Sequence, residues 1–266
     1  MRPVARRPRR PLACGWLETL EDSAAAPQNG PATGCCRLGN TDRWCEGPRR
    51  VHFPGHPRLR VTEASAGHKH SLVVDAAGQA WAFGSNKFGE LGTGAAGLGT
   101  PVPQRIAGAL QGQLAWKVAA GAQHSLLLTS RGQVFSWGSN AEGQLGLGAA
   151  AAGPGTVVAT PTPVPIPAGL RIVDVSRAPD AHAKGAARRL ASCSPVQIAC
   201  GAKSSGAVAE SGEVFLWGLN VKGALGLGYQ ETKDLSTLPA PTRSPHLSRP
   251  VSISLGTAHG AAYLAG

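Results

Sequence analysis

Histidine recurs in this sequence at a fixed position, three residues after a glycine, at His70, His124 and His259. Imidazole is a common general acid or base because its pKa lies near neutrality. Nucleophilic catalysis would also need a carboxylate that recurs together with the histidine and a Ser or Cys. No Asp or Glu recurs in that way. We therefore interpret the repeated histidines as structural hydrogen-bonding residues, and we expect no catalytic residue.

The cysteines lack the paired spacing of zinc sites and disulfide frameworks. They are Cys14, Cys35, Cys36, Cys45, Cys193 and Cys200. The cluster formed by Cys35, Cys36 and Cys45 with His52 and His56 has enough ligand atoms for zinc, but its spacing is irregular. The sequence also contains no P-loop, dinucleotide fingerprint or nucleophile elbow. We expect reduced thiols, no metal and no cofactor.

Basic residues form two clusters that are candidate binding or targeting elements. The N-terminal cluster consists of Arg2, Arg6, Arg7, Arg9 and Arg10. Three interpretations remain open for it: a nuclear-import or chromatin-binding arm that contacts nucleic acid, a mitochondrial transit segment, or a consequence of arginine-rich composition. The interior cluster consists of Arg171, Arg177, Lys184, Arg188 and Arg189. It is either a solvated loop or a partner-binding insertion on a rigid scaffold.

Composition and charge exclude several classes of protein. The 266 residues include 36 Gly and 21 Pro, which disfavours a mostly helical fold. The net charge is +11, and residues 1–60 contribute 11 Lys and Arg against 5 Asp and Glu. No apolar run approaches the length of a membrane-spanning helix, and the N-terminus lacks the apolar region of a secretory signal. We expect a soluble cytoplasmic or nuclear protein with no membrane partner, or an organelle protein if the arm is a transit segment.

Three segments align without a gap: residues 67–94, 121–148 and 201–228. They share an opening Gly, a central Gly and the closing block G-x-N-x-x-G-x-L-G-x-G. A fourth copy starts at Gly256. The starts at 67, 121, 201 and 256 are 54, 80 and 55 residues apart, so the middle interval holds an insertion, which we place at about 173–196. Internal repeats of this size indicate a repeat architecture.

Each repeat predicts a β-hairpin followed by a sharp chain reversal. In the first, Ser71–Val74 and Gln79–Phe83 are short β-prone runs joined by a turn that ends at Gly78. Aromatic residues two apart, such as Trp81 and Phe83, project to one sheet face and predict core packing. The same holds for the other two pairs, which are Phe135 with Trp137 and Phe215 with Trp217.

The residues that follow each hairpin predict a reversal and an outer edge. Asn86, Asn140 and Asn220 suit a reversal because Asn and Gly tolerate positive φ. Leu91, Leu145 and Leu225 are the expected core anchors of the closing blocks. The proline-rich stretches 100–103 and 160–167 suit outer edge strands or loops.

Four-stranded units with a periodic Gly and aromatic signature are typical of β-propellers. The repeats resemble those of the regulator of chromosome condensation family, with its G-x-x-H-S opening and its G-x-N-x-x-G-Q-L-G-x-G closing block. The resemblance covers residues 67–266 and implies an all-β propeller. It also implies a closed ring of about seven blades, whereas this chain has three full repeats and a partial fourth. We therefore expect a partial propeller, either a fragment or splice product of a longer protein or an open arc that self-associates.

The resulting organisation is a basic arm over residues 1–34, degenerate blade strands over 35–60 and repeats over 61–266. The repeat units are 67–120, 121–200, 201–255 and 256–266. A four-bladed ring closed by residues 35–60 is an alternative. The resemblance implies a non-catalytic protein-interaction module, a regulator or adaptor. It also implies two alternatives, a guanine-nucleotide exchange factor for a small GTPase and a chromatin-associated protein.

Overall fold

The computed structural model describes residues 50–106, 110, 112–148, 153, 155–167, 197–227, 237–248, 250–257 and 259–264. They form strands in chain order, and helix in the described residues is limited to a 3-10 turn at Val221–Gly223. The strands are β1 Val61–Ala66, β2 His70–Asp75, β3 Ala80–Asn86, β4 Gly97–Arg105, β5 Ala115–Ala120, β6 His124–Thr129, β7 Val134–Asn140, β8 Thr156–Pro163, β9 Ile198–Cys200, β10 Ser204–Val208, β11 Glu213–Leu219, β12 Thr237–Ser248, β13 Pro250–Leu255 and β14 Gly260–Leu264.

The strands form three antiparallel four-stranded blades and a two-stranded sheet. Blade 1 has the order β1-β2-β3-β4, blade 2 has β5-β6-β7-β8 and blade 3 has β9-β10-β11-β12. The fourth sheet pairs β13 with β14. The inner strands β1, β5, β9 and β13 contact one another in that order. The described chain is therefore a partial β-propeller, which confirms the predicted fold class.

Local sequence explains the hairpin between β2 and β3. The Asp75 carboxylate accepts the backbone N–H groups of Ala77 and Gln79, both at 2.9 Å. Gly78 follows with φ of +73°, a conformation that side chains with a Cβ adopt only at a cost. The predicted turn is thereby confirmed.

The outermost strands β4, β8 and β12 all contain proline, as the sequence predicted. Pro cannot donate a ladder hydrogen bond, so it is compatible with an outer edge. It also protects that edge from pairing with other chains.

Apolar side chains fill the space between consecutive blades. Leu72 and Leu91 of blade 1 pack in one cluster with Leu127, Phe135 and Trp137 of blade 2. Phe215 and Trp217 of blade 3 occupy the equivalent places in a second cluster, against blade 2. In blades 2 and 3 the two aromatic residues thus share a sheet face and pack against the preceding blade, which confirms for these two pairs the predicted packing against a neighbouring sheet.

The face of blade 1 that has no preceding blade is covered by residues 51–59, which we call the N-terminal cap. Val51, Phe53 and Leu59 pack against Trp81 and Phe83. The Phe53 and Trp81 rings meet edge to face, with 5.5 Å between centroids. Residues 50–60 contain turns and no strand. This described part of 35–60 therefore differs from the degenerate strands we expected, and it lies on blade 1 instead of completing the sheet of β14.

The N-terminal arm and the insertion at 173–196 lie outside the described residues, as do residues 35–49. No helix in the part of the chain that the structure describes has the length and apolar character needed to cross a membrane.

Candidate functional site

Two of the repeated histidines, His70 and His124, lie at interfaces between blades, whereas His259 is exposed. His70 of blade 1 is buried, and its Nε2 lies 3.0 Å from the Ser125 hydroxyl of blade 2. The Ser125 hydroxyl donates to the backbone carbonyl of Glu90, at 2.8 Å. The Trp137 indole N–H donates to the same carbonyl, at 2.7 Å. One carbonyl of blade 1 thus receives two donors from blade 2.

The same arrangement connects blades 2 and 3. His124 Nε2 lies 2.9 Å from the Ser205 hydroxyl, which donates to the Gln144 carbonyl at 2.8 Å. The Trp217 indole N–H donates to that carbonyl at 2.9 Å. The network is therefore a repeated structural unit that joins each blade to the next.

This network fixes the protonation of both imidazoles. Each serine has one hydroxyl proton and gives it to a carbonyl, so the histidine Nε2 must carry the proton that the serine accepts. The Nδ1 atoms of His70 and His124 are buried and have no hydrogen-bond partner. Burial accordingly lowers the pKa of His70 to about 4 and that of His124 to about 3. Both histidines are neutral and inaccessible, so the interpretation as structural residues is supported.

The opening glycines provide the space for these rings. A Cβ placed on Gly67 would lie 2.6 Å from Cε1 of His70, and one on Gly121 would lie within 2.7 Å of the Gly201 carbonyl oxygen. Both distances are below van der Waals contact. The repeated Gly is thus required by the close approach of its own histidine and of the next blade.

The repeated asparagines act through their side chains. Oδ1 of Asn86, Asn140 and Asn220 accepts the backbone N–H of the leucine five residues later, at 3.0 to 3.1 Å. Asn220 has φ of −117°, so at this residue the predicted reversal forms without the positive φ that asparagine tolerates. The three leucines are buried, which confirms them as core anchors.

The inner strands line an open cavity of about 250 Å³. Glu63 of β1, Lys117 of β5 and Gln197, which precedes β9, lie along it. The Cys200 thiol donates to the Ala119 carbonyl at 3.3 Å, and burial raises its pKa. A thiol held protonated is a poor nucleophile and a poor metal ligand. The described residues contain no cluster of metal-ligating side chains.

The two faces of the propeller carry different loops. We call the side with the turns 75–79, 129–133 and 209–212 the hairpin face, and the side with the closing blocks the loop face. Gln197, at the described end of the insertion, accepts the Val208 N–H at 2.9 Å. On the other side of the insertion, the backbone N–H of Val164 donates to the Val134 carbonyl at 2.8 Å. Both partners adjoin hairpin turns, so Val164 and Gln197, the described residues on either side of the insertion, lie towards the hairpin face.

The candidate binding residues predicted from the sequence are not brought together by the described structure. Arg171, Arg177, Lys184, Arg188 and Arg189 lie outside the described residues. The same is true of Arg2, Arg6, Arg7, Arg9 and Arg10. The described hairpin face adds exposed Arg60, Arg105 and Arg131, which the sequence analysis did not single out. A serine follows the histidine position in all three repeats, as Ser71, Ser125 and Ser205. The bonds that Ser125 and Ser205 make to the preceding blade were not predicted.

Fold and interfaces together define a partial β-propeller built from tandem repeats. The model of the regulator of chromosome condensation (RCC1) repeat matches residues 77–128, 131–178 and 211–263, and a second model of this repeat matches 117–144. These matches cover more than half of the chain. The chain therefore belongs to the RCC1 repeat family.

Relatives with this repeat are longer than the present chain. Human RCC1 domain-containing protein 1 is 30% identical over 234 residues, which are 82% of this chain and 59% of the relative. The human probable E3 ubiquitin-protein ligase HERC6 is 30% identical over 211 residues, 77% of this chain and 17% of the relative. The structure of Prp20p from Saccharomyces cerevisiae superposes with a TM-score of 0.58 at 20% identity, covering 78% of this chain and 44% of that chain. At this identity the superposition shows the fold alone.

Proposed function

We propose that this chain is a non-catalytic protein-interaction module, an adaptor or regulator, that binds an acidic surface of a protein partner through its hairpin face. The observation that carries the proposal is the basic character of that face. Arg60, Arg105 and Arg131 are exposed there, and Val164 and Gln197, the described residues that flank the basic insertion, lie towards the same face. Complementary charge steers association and sets its specificity.

The chemistry of the described residues supports binding over catalysis. The repeated imidazoles are buried, neutral and bonded to serine hydroxyls whose protons are already donated. A rigid scaffold that displays loops is better suited to a macromolecular partner.

The test compares partner capture by the full chain with capture by two charge-reversed variants. In the hairpin-face variant Arg60, Arg105 and Arg131 become Glu. In the loop-face control Lys69 and Lys87, which are exposed on the opposite side, become Glu. We expect a specific partner to be retained by the wild type and by the control and to be lost by the hairpin-face variant. Equal retention by all three would contradict the proposed surface.

Deleting residues 173–196 tests whether the insertion contributes to partner binding. Loss of the same partner would assign binding to the insertion. Unchanged capture would restrict the contact to the scaffold arginines.

A second candidate function is guanine-nucleotide exchange on a small GTPase. It is favoured by the likeness to Prp20p, whose structure was described together with its binding properties to Gsp1p and histones. An exchange factor binds the nucleotide-free state of the GTPase better than the loaded state. It would accelerate release of a fluorescent guanine nucleotide from Gsp1p at catalytic concentrations, whereas an adaptor would leave the release rate unchanged.

A further inference from the structure

The hairpin face carries exposed apolar side chains where blade 1 meets blade 2. They are Ala76 and Ala77 in the turn of blade 1 and Leu114, which directly precedes β5. The Leu114 side chain is 49% exposed. It lies over Gly78, because a Cβ placed on that glycine would lie 2.8 Å from the Leu114 Cβ. We call Ala76, Ala77 and Leu114 the apolar strip.

Backbone hydrogen bonds hold Leu114 in a fixed position between the two blades. The Ala115 N–H donates to the Gly78 carbonyl in the turn of blade 1, at 2.9 Å. The Ser130 N–H, in the turn of blade 2, donates to the Leu114 carbonyl at 2.9 Å. An apolar side chain whose backbone is already fixed costs little conformational entropy when a partner covers it.

Exposed arginines surround the apolar strip. Arg60 precedes the inner strand β1, and its carbonyl accepts the Ala76 N–H at 2.8 Å. Arg105 is the last residue of the outer strand β4. Arg131 belongs to the turn 129–133 of blade 2. The strip therefore has a cation on its inner side, on its outer side and on the next blade.

The described carboxylates near this face do not neutralise these arginines. Asp75 is buried, and its two oxygens accept N–H groups of its own turn and of an indole. Glu63 lies along the cavity between the inner strands. Glu210 and Glu213 lie at the turn of blade 3, where Glu213 pairs with Arg243 at 2.9 Å. The surface around the apolar strip is thus both basic and apolar.

We propose that the apolar strip binds an acidic segment of a partner protein, which places one large apolar side chain on Leu114 and carboxylates against the surrounding arginines. The inference deepens the proposed function and rests on it, because it uses the same face. An extended segment projects alternate side chains to one side, about 7 Å apart. Carboxylates two residues before and two residues after the apolar residue therefore point towards the strip together with it.

The apolar strip favours an acidic polypeptide over nucleic acid. Phosphate binding depends on the number of cations, so it uses the arginines alone. Bases stack on aromatic side chains, which Leu114 does not provide. The insertion of this chain does not match the surface either, because residues 171–196 contain five Lys and Arg against two Asp.

The test uses a fluorescein-labelled peptide, GSDELDEGS, and measures its fluorescence anisotropy with the full chain at low salt. We expect saturable binding of this peptide. A peptide with alanine in place of leucine should bind about fivefold more weakly, because it loses a partly covered apolar contact. A peptide with Asn and Gln in place of its acidic residues should show no saturable binding.

Protein variants locate the site. Leu114→Gln adds no charge and should weaken binding of the original peptide about fivefold. Leu98→Gln is the matched control, because Leu98 is also an exposed leucine but lies on the loop face, and it should bind normally. The variant in which Arg60, Arg105 and Arg131 become Glu should show no saturable binding.

The outcomes separate this proposal from the proposed function. No saturable binding of the peptide would overturn the apolar strip as a site, while partner capture would still decide the function of the hairpin face. Binding that needs the arginines but is equal for the alanine peptide and for Leu114→Gln would overturn the strip and leave a charged surface. Binding that is unchanged in the arginine variant would contradict both. The peptide series needs no altered protein, so it decides the question even if a variant misfolds.

Two further measurements test other occupants. Duplex DNA that displaces the peptide, and that binds Leu114→Gln as tightly as the wild type, would assign the surface to nucleic acid. Residues 17–22 of this chain, LETLED, also combine leucines with carboxylates. Tighter peptide binding after Glu18→Gln, Glu21→Gln and Asp22→Asn would assign the strip to this segment. We expect neither result, and either one would overturn the assignment to a separate partner.

Discussion

His70 and His124 make the stability of the propeller depend on pH. Their pKa values in the fold, about 4 and about 3, lie below the ordinary value of 6.5 because both rings are buried. The unfolded chain therefore takes up protons below pH 6.5 that the folded chain does not. The stabilising contribution is complete above pH 6.5 and is lost as the pH falls from 6.5 towards 4, at about 1.4 kcal/mol per pH unit for each histidine.

This loss is measured as the urea midpoint at pH 7 and at pH 4.5. The double variant His70→Gln and His124→Gln should have a smaller difference between the two midpoints than the wild type. Glutamine can still donate an N–H but does not titrate. His68→Gln, at an exposed position, should behave as the wild type does. A double variant with the wild-type pH dependence would contradict the assignment.

Ser205 joins two blades, and its loss should be costly. In Ser205→Ala the buried Nε2–H of His124 loses its acceptor, whereas the Gln144 carbonyl keeps the Trp217 indole. An unsatisfied buried donor costs about 1 to 3 kcal/mol. Chemical denaturation should show this loss, while Ser211→Ala, at an exposed position, should stay within about 0.5 kcal/mol of the wild type. Equal effects of the two substitutions would exclude the inter-blade bond as a stabilising contact.

The structural role of the histidines was predictable from their recurrence, but their partners were not. His70 bonds a serine 55 residues away, and His124 bonds one 81 residues away because the insertion intervenes. Repeats identify equivalent positions. Which positions meet across an interface depends on how one blade is placed against the next.

The N-terminal cap protects blade 1, and removing its aromatic contact should expose that blade. Phe53→Ala deletes the ring that packs edge to face on Trp81. We expect a loss of about 1 to 2 kcal/mol in stability, the scale for removing a half-buried aromatic ring. Amide hydrogen exchange over residues 51–61 should become faster.

The matched control is Phe88→Ala, since Phe88 is also half-buried but lies on the loop face beside Lys87. Its exchange over residues 51–61 should stay unchanged. Faster exchange there in both variants would mean that the effect is general and not local to the cap.

At the scale of elements, hairpins and outer strands were predictable because period-two apolar runs, turn glycines and prolines each have a local physical cause. The cap was not predictable from the sequence, because residues 50–60 have neither a repeat signature nor the period-two apolar pattern of a strand. Its position depends on Trp81 and Phe83 having no preceding blade, which is a property of the assembled fold. The role of the asparagines was missed for a similar reason, since a side-chain bond to a residue five positions later leaves no distinctive pattern.

At the scale of the whole molecule, charge separates the arm from the propeller. Arg2, Arg6, Arg7, Arg9 and Arg10 would contact phosphates if the arm binds nucleic acid. Each neutralised phosphate contributes about −0.9 to the slope of log affinity against log salt concentration. On the nucleic-acid interpretation, a chain lacking residues 1–12 should bind duplex DNA more weakly and with a shallower slope than the full chain. An unchanged slope would show that the arm does not contact DNA. The interpretations as a targeting segment or as a consequence of arginine-rich composition would then remain.

The partial ring followed directly from counting repeats, since each repeat corresponds to one blade. Which strands of successive blades contact each other was not predictable from the repeats, because it depends on the assembled fold. A charge count likewise indicated a basic protein, but only the fold shows which of the described arginines share a face.

The cap also bears on the order in which the chain folds during synthesis. Blades 2 and 3 each bury their aromatic pair against the blade made before them. No blade precedes blade 1 among the described residues, and residues 51–59 leave the ribosome before its own strands do, so its aromatic face has a cover as soon as it forms. The N-terminal domain of a growing chain generally folds first. With one face covered by the cap, blade 1 presents its other face to blade 2, and blade 2 in turn presents a packed surface to blade 3.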